Sequence, residues 1–190
     1  MPTRSDAARP SDEQLVARAL DGESWAFEAI YRRYVGIVAG TVRRMLRHTA
    51  ETEDVVQETF MLAFEQLGQL EEVEALRVWL VRIGVSRAHR IFRRRRIIAW
   101  LTGAEAATSL AEQAAPGLGQ EELAELALLD RALGKIAAPK RTPWILRHVV
   151  GYPVEEIASI CECSPATVKR RIAEVDERVR QHLHTKGVVA

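Results

Sequence analysis

Residues 151–183 read GYPVEEIASICECSPATVKRRIAEVDERVRQHL, and this stretch has the pattern of a helix-turn-helix unit. A short helix opened by Pro153 is followed by a tight turn and a longer helix, for which Ser164 is a favoured N-cap and Pro165 a favoured first residue. The packing face consists of Ile157, Ala158, Val168 and Ile172, with Cys163 in the buried position of the turn. The first two turns of the longer helix are therefore predicted to read DNA, with outward side chains from Thr167, Lys169, Arg170 and Arg171.

The two cysteines of this stretch allow a second interpretation, half of a metal site. Only three histidines, at irregular intervals, could complete a set of four ligands, namely His148, His182 and His184. Cysteine is also among the residue types most often buried as a small apolar group. We therefore favour a structural role for Cys161 and Cys163 and predict no metal site and no cofactor.

The basic run itself has a plainer interpretation as the solvated face of a helix, because charge runs usually are. The cap, the turn and the proline together favour DNA binding. Further along the helix the side chains Glu174, Asp176 and Glu177 would repel phosphates. Only the beginning of the helix is therefore expected to enter a groove.

The composition is that of an ordinary globular protein with room for one medium domain or two small ones. The chain has 190 residues, a hydrophobic fraction of 47% and a formal net charge of +1. Two cysteines are too few for a disulfide framework, which suits a reducing compartment, so we expect a cytoplasmic protein. No segment approaches the length of a membrane span and no apolar run follows the N-terminus, so we expect no membrane insertion.

Apolar residues recur at helical spacing nearly throughout, which predicts an all-α protein. The first block, residues 11–96, contains a short helix capped by Ser11 and three longer helices over about 24–48, 51–67 and 76–96. Residues 97–120 are rich in Ala, Gly and Thr and are predicted to be a flexible linker. The second block, residues 121–184, contains helices over about 121–136 and 140–150 and then the helix-turn-helix. The pattern thus predicts two small helical domains joined by a linker.

Charge is strongly separated within the first block. Residues 49–75 contain eight acidic side chains and no Lys or Arg, whereas residues 77–100 contain eight arginines and no acid. Such neighbouring helices suit two different partners, one basic and one a nucleic acid. The tetrad at 93–96 alone would fit a solubilising helix end, but Arg82, Arg87 and Arg90 extend the charge backwards, which favours phosphate contact. Trp79 on this helix is more consistent with a core residue than with a base-stacking one.

Four segments together resemble bacterial RNA polymerase sigma factors of the extracytoplasmic-function class of the sigma-70 family. They are EDVVQETFMLAFEQL (53–67), RVWLVRIGVSRAHRIFRRRR (77–96), LDRALGKI (129–136) and YPVEEIASICECSPATVKRRI (152–172). The resemblance covers about residues 12–96 and 121–183. It implies that the four-helix first block is sigma region 2 and the helix-turn-helix block is sigma region 4.

The resemblance also implies the partners, which are core RNA polymerase, promoter DNA and an anti-sigma factor. The acidic helix would dock on a coiled coil of the largest polymerase subunits through Glu53, Asp54, Gln57 and Glu58. The basic helix and the loop before it would engage the opened minus-ten element through Arg77, Trp79, Arg82, Arg87, Arg90, Arg93 and Arg94. Region 4 would read the minus-thirty-five element as duplex through Ser164, Thr167, Lys169, Arg170 and Arg171.

The chain departs from the family pattern at several places. The family usually has Asn within the segment that reads GVSRAH here (84–89), and often a basic specificity loop where this chain reads GQLEEVEA (68–75). Its turn usually carries Gly where Glu162 stands, and its reading helix usually ends in basic residues where this one is acidic. These differences bear on promoter preference.

Two other function classes make different predictions. A free-standing helix-turn-helix regulator would bind specific DNA tightly without polymerase. An enzyme has little support, because no Gly-rich phosphate loop follows a strand and no Ser, His and acid grouping stands out. We therefore predict no catalytic residue and no small-molecule substrate.

Overall fold

The computed structural model describes residues 10–46, 49–102 and 120–185. Within these ranges all regular structure is helical, which confirms the all-α prediction. Two short 3-10 turns, Leu67–Gln69 and Val73–Ala75, precede the fourth helix. The helices are α1 (Asp12–Leu20), α2 (Ser24–Leu46), α3 (Thr49–Glu65), α4 (Leu76–Thr102), α5 (Gln120–Gly134), α6 (Ala138–Ile145), α7 (Val154–Ile160) and α8 (Pro165–Thr185).

Helix α1 begins with the predicted capping box. The Ser11 hydroxyl accepts from the Gln14 backbone N–H at 3.2 Å, and the Gln14 side chain accepts from the Ser11 N–H at 3.0 Å. The Asp12 carboxylate accepts hydrogen bonds from the Arg33 guanidinium and the Tyr34 hydroxyl of α2. Burial, and then the neighbouring Asp12, raises the pKa of Tyr34 to about 12. Helix α1 is thus fixed across α2 by polar contacts as well as by its buried apolar face.

Helices α2, α3 and α4 form the core of the first block. Their fully buried side chains include Ile30, Met45, Leu46, Leu76 and Leu80. Gly84 marks the closest approach of α4 to its neighbours, because a Cβ there would lie 3.1 Å from Val42 Cγ2 and 3.3 Å from Val38 Cγ1. A residue without a side chain at position 84 therefore allows the three helices to meet.

Helix α4 extends beyond the predicted end at residue 96. It continues through Thr102, so the first six residues of the predicted linker are helical. The physical reason is local: residues 97–102 read IIAWLT, which contains no Gly or Pro, and Gly103 is the first strong helix breaker. Residues 103–119, where the rest of the predicted linker falls, lie outside the described residues.

In the second block, α6 contains a proline that shapes its packing. Pro143 lacks the N–H that would bond to the carbonyl of Pro139 one turn earlier. Arg171 Nη1 of α8 donates to that carbonyl instead, at 3.3 Å. Helix α6 then continues into a π turn, Leu146–Val150, which ends at Gly151 with φ 92°, a left-handed conformation that favours glycine.

The two blocks pack against each other rather than standing apart. Helix α4 of the first block contacts α7 and α6 of the second, and α2 contacts the π turn and α6. A cleft of about 350 Å³ lies at this junction, between Gly36 and Gly40 of α2 and Gly151 and Tyr152 after the π turn. The sequence pattern predicted two domains with a linker but gave no sign of this contact.

Candidate nucleic-acid and partner interfaces

The acidic helix α3 presents its four predicted contact residues to solvent. The side chains of Glu53, Asp54, Gln57 and Glu58 are all exposed, because the opposite face of α3 is occupied by core residues such as Val55, Val56 and Phe60. This is the amphipathic arrangement expected of a surface helix with 3.6 residues per turn. The acidic face of α3 is therefore free to meet a basic or polar partner.

Beside this acidic face lies an apolar groove that the sequence analysis did not identify. The groove has a volume of about 490 Å³ and runs between α2 and α3. Tyr31 and Met61 on its rim are 41% and 57% exposed, and the Tyr31 ring packs edge-on against Phe60 at 4.8 Å between centroids. Exposed Tyr and Met at helical spacing on neighbouring helices were the available signal. We call this surface the α2–α3 groove; it is lined by Tyr31, Val35, Ala39, Thr52, Glu53, Val56, Gln57, Phe60, Met61 and Phe64.

The predicted DNA-contact arginines of α4 divide into two sets. Arg90, Arg93 and Arg94 are exposed, beside the exposed side chains of Ile97 and Ile98. Three cations are also available to phosphates on this part of the helix, which suits a polyanionic partner. We call Arg90, Arg93 and Arg94 the open arginines.

The remaining predicted arginines of α4 are engaged in ion pairs. Arg87 lies 3.8 Å from Glu58 of α3, so the acidic and basic surfaces meet at their edge. Arg77 pairs with Glu156 of α7 at 2.5 Å, and Arg82 with Glu162 of the helix-turn-helix at 3.6 Å. Arg77 and Arg82 therefore face the second block in this conformation rather than solvent.

Trp79 is the predicted DNA-contact residue that the structure places in the core. Its side chain is 8% exposed, which leaves no ring face for a base to stack on in this conformation. The reason is its position on α4, where it shares the inward face with Leu76 and Leu80. The expectation of a base contact from Trp79 does not fit this arrangement, whereas the core interpretation does.

The reading helix α8 begins as the sequence predicted. The Ser164 hydroxyl accepts from the Thr167 backbone N–H at 3.2 Å and lies 3.0 Å from the Thr167 hydroxyl, so both polar groups are used in the cap. Lys169 and Arg170 are exposed on the first turns of the helix. Two of the five predicted contacts are thus fully presented to a groove.

Arg171 is half-buried, because it supplies the hydrogen bond that Pro143 denies to Pro139. Its prediction as a DNA contact is therefore corrected to a structural role in joining α8 to α6. Cys163 of the turn is half-buried rather than fully buried, and it packs with Cys161 at the edge of the core. Burial raises the pKa of Cys161 to about 12, so this thiol stays protonated and unreactive at neutral pH.

The acidic residues of α8 have partners within the protein. Asp176 accepts a hydrogen bond from the Trp144 indole N–H at 2.6 Å, and Glu174 lies 3.5 Å from the Lys140 ammonium. Glu177 pairs with Arg180 one turn later on α8. These acids therefore join α8 to α6 or stabilise the helix surface, which explains why a DNA-reading helix can carry them.

Comparison with known proteins matches both blocks to described families. Residues 30–97 match Sigma-70 region 2, and residues 126–175 match Sigma-70, region 4. RNA polymerase sigma factor CnrH of Cupriavidus metallidurans is 31% identical, over 85% of this chain and 88% of that protein. The ECF RNA polymerase sigma-E factor of Escherichia coli is 30% identical, over 89% of this chain and 92% of that protein.

Solved structures give the same result for the fold. The structure of CnrH in complex with the cytosolic domain of CnrY superposes with a TM-score of 0.64 and 26% identity, covering 92% of this chain and 97% of that one. The sigma factor RpoE of Bartonella quintana, solved with the anti-sigma factor NepR, also gives a TM-score of 0.64, at 23% identity and over 83% of this chain and 96% of that one. Within the described part of this chain, no helix has both the length and the apolar character needed to cross a bilayer.

Proposed function

This chain belongs to the extracytoplasmic-function class of the sigma-70 family of RNA polymerase sigma factors, and from this premise we propose which surface meets each partner. A sigma factor binds core RNA polymerase and directs it to promoter DNA. The chain carries the two regions that this task needs, at residues 30–97 and 126–175. The proposal concerns the residues that make the contacts, and the acidic face beside the α2–α3 groove is the observation that carries it.

The polymerase contact is assigned to α3 and the α2–α3 groove together. Glu53, Asp54, Gln57 and Glu58 supply an exposed acidic and polar face, and Tyr31 and Met61 supply apolar area directly beside it. Protein interfaces combine a buried apolar centre with a polar rim, and aromatic residues and Met are enriched in that centre. A basic helical partner would therefore bury the groove and pair with the acidic face.

The DNA contacts are assigned to α4 and to the start of α8. The open arginines, Arg90, Arg93 and Arg94, would hold phosphates near the opened minus-ten element. Lys169 and Arg170 would reach base edges or phosphates of the minus-thirty-five duplex, with Ser164 and Thr167 fixing the start of the helix. The chain would act in this way without catalysing a reaction, in the cytoplasm where polymerase and chromosome are found.

We also propose that a protein partner of the anti-sigma kind controls the chain. The support is that CnrH, which is similar over nearly the whole chain, was solved in complex with the cytosolic domain of CnrY. The exposed apolar rim of the α2–α3 groove offers such a partner a surface that polymerase would also need. Competition for one surface is the simplest way in which such a partner would inhibit.

The test is co-elution of the purified chain with core RNA polymerase. A variant with Asp54→Lys and Glu58→Lys is compared with a control carrying Glu71→Lys and Glu72→Lys, which makes the same change in net charge on exposed residues outside α3. We expect wild type and control to co-elute and the α3 variant to be lost. Equal co-elution of both variants would refute the assignment of the acidic face.

A further inference from the structure

We propose that the second block inhibits DNA binding from within the chain, because Glu156 and Glu162 occupy the guanidinium groups of Arg77 and Arg82 in place of DNA phosphates. This inference rests on the proposed function, which offers α4 to the promoter. It adds an internal step to it: α7 and the turn after it must leave α4 before the whole basic helix is available. A carboxylate and a phosphate oxygen present the same acceptor to a guanidinium, so one can take the place of the other.

The pair between Arg77 and Glu156 forms the firmer of the two contacts. Arg77 Nη2 donates to Glu156 Oε1 at 2.5 Å, and the side chains are 36% and 27% exposed. The Arg77 guanidinium also lies over the Tyr152 ring, 5.3 Å from its centroid. Burial would lower the pKa of Arg77, but the hydrogen bond and charge of Glu156 outweigh it and the pKa is raised. In this conformation Arg77 is held by the second block on two sides.

The pair between Arg82 and Glu162 is longer and more open. The two groups are 3.6 Å apart, with side chains 40% and 74% exposed. Position 162 lies in the turn of the helix-turn-helix, immediately before the helix that carries Lys169 and Arg170. The element that reads duplex DNA is thereby tied to the helix that would bind the opened strand, and the two surfaces cannot move independently while the pair is intact.

The other end of the junction is held by contacts that favour closure less. The Thr142 hydroxyl donates to the carbonyl of Ala138 at 2.8 Å and therefore accepts from His89 Nε2–H at 2.9 Å. The Arg141 guanidinium stacks on Phe92 of α4, 4.6 Å from the ring centroid.

Charge at this end opposes closure. Burial, and then the charge of Arg95, lowers the pKa of Arg141. The nearby cations Arg93, Arg141 and Arg171, together with burial, lower the pKa of His89. Like charges that are brought together by closure repel one another and are relieved by opening. The closed form is thus stabilised by acid–arginine pairs at one end and opposed by cations at the other, which suits a contact that opens when polymerase binds.

The experiment uses the full chain and compares three proteins. The first is wild type, the second carries Glu156→Gln and Glu162→Gln, and the control carries Glu155→Gln and Glu13→Gln, two exposed acids outside the junction. One measurement is the affinity of the free chain for a fluorescent promoter fragment with an opened minus-ten region. The other is the radius of gyration of the free chain by small-angle X-ray scattering. The control corrects for the general effect of removing two negative charges.

We expect the Glu156→Gln, Glu162→Gln protein to bind the fragment more tightly than the control, by about two- to fivefold for each exposed pair removed. Its radius of gyration should rise as the second block leaves α4. Affinity and radius equal to those of the control would overturn the proposal.

A charge exchange tests the geometry separately. Arg77→Glu alone should expand the chain, and Arg77→Glu with Glu156→Arg should restore the wild-type radius; failure of the exchange to restore it would contradict the pairing. Scattering of the free chain needs no polymerase, so the result on closure stands apart from the co-elution test. Wild type that closes but does not co-elute with polymerase would refute the proposed function and leave the internal contact intact.

Discussion

Replacement of Glu162 by glycine is expected to stabilise the protein, although it removes an ion pair. Glu162 has φ 50°, in the left-handed region, where an L residue costs about 1–2 kcal/mol. Glycine avoids that cost but loses about 0.5–1 kcal/mol more backbone freedom on folding, so the net gain of glycine over alanine is about 0.5–1 kcal/mol. The pair with Arg82 is worth about 0–1 kcal/mol at this exposure, and both replacements lose it equally.

The comparison of Glu162→Gly with Glu162→Ala therefore isolates the backbone term. Chemical unfolding followed by circular dichroism should give the glycine variant a free energy of unfolding about 0.5–1 kcal/mol above that of the alanine variant. For a chain of this length the midpoint of thermal unfolding should differ by about 1–4 °C. A glycine variant no more stable than the alanine variant would refute the left-handed conformation at position 162.

Two further predictions concern α4. Gly84→Val should lower the free energy of unfolding by about 1–3 kcal/mol, because its Cβ would crowd Val42 and Val38, whereas Gly36→Ala, with open space around it, should raise it by up to about 1 kcal/mol; equal thermal shifts would contradict the close approach. The pKa of His89 is lowered in the packed form by burial and by Arg141, Arg93 and Arg171. The packed form therefore takes up a proton less readily than the unfolded chain, and its stability, constant above the ordinary histidine pKa of about 6.5, should fall as pH drops through that value. Thermal midpoints between pH 7.5 and 5.5 should decline more steeply for wild type than for His89→Gln, and parallel slopes would exclude His89 as the cause.

The sequence predicted the features whose signal is local. The capping box at Ser11 and Gln14 and the N-cap at Ser164 were read from short motifs, and the structure confirms both. The helices of the first block were located within a few residues because their apolar faces repeat at helical spacing. The extension of α4 to Thr102 was missed because composition was taken over the whole of 97–120, although the first six residues favour a helix.

The features that the sequence did not predict depend on residues far apart in the chain. Arg77 and Glu156 are 79 positions apart, and nothing periodic marks two exposed charges as partners across that distance. The role of Arg171 was recoverable in principle, since a proline within a helix always leaves a carbonyl four residues earlier without its donor. What the sequence could not show is that α8 passes close enough for an arginine to reach that carbonyl.

The position of α1 sets a practical limit on how short an autonomous region 2 fragment can be. The family match begins at residue 30, but the buried side chains of Leu15, Val16 and Ala19 and the carboxylate that binds Tyr34 all precede it. The Arg33 guanidinium also donates to the Pro10 carbonyl at 2.6 Å. A recombinant piece trimmed to the matched residues would expose an apolar strip on α2 and leave the Tyr34 hydroxyl without its acceptor. Expression of this half of the protein should therefore begin at or before Pro10, twenty residues upstream of the boundary that sequence comparison suggests.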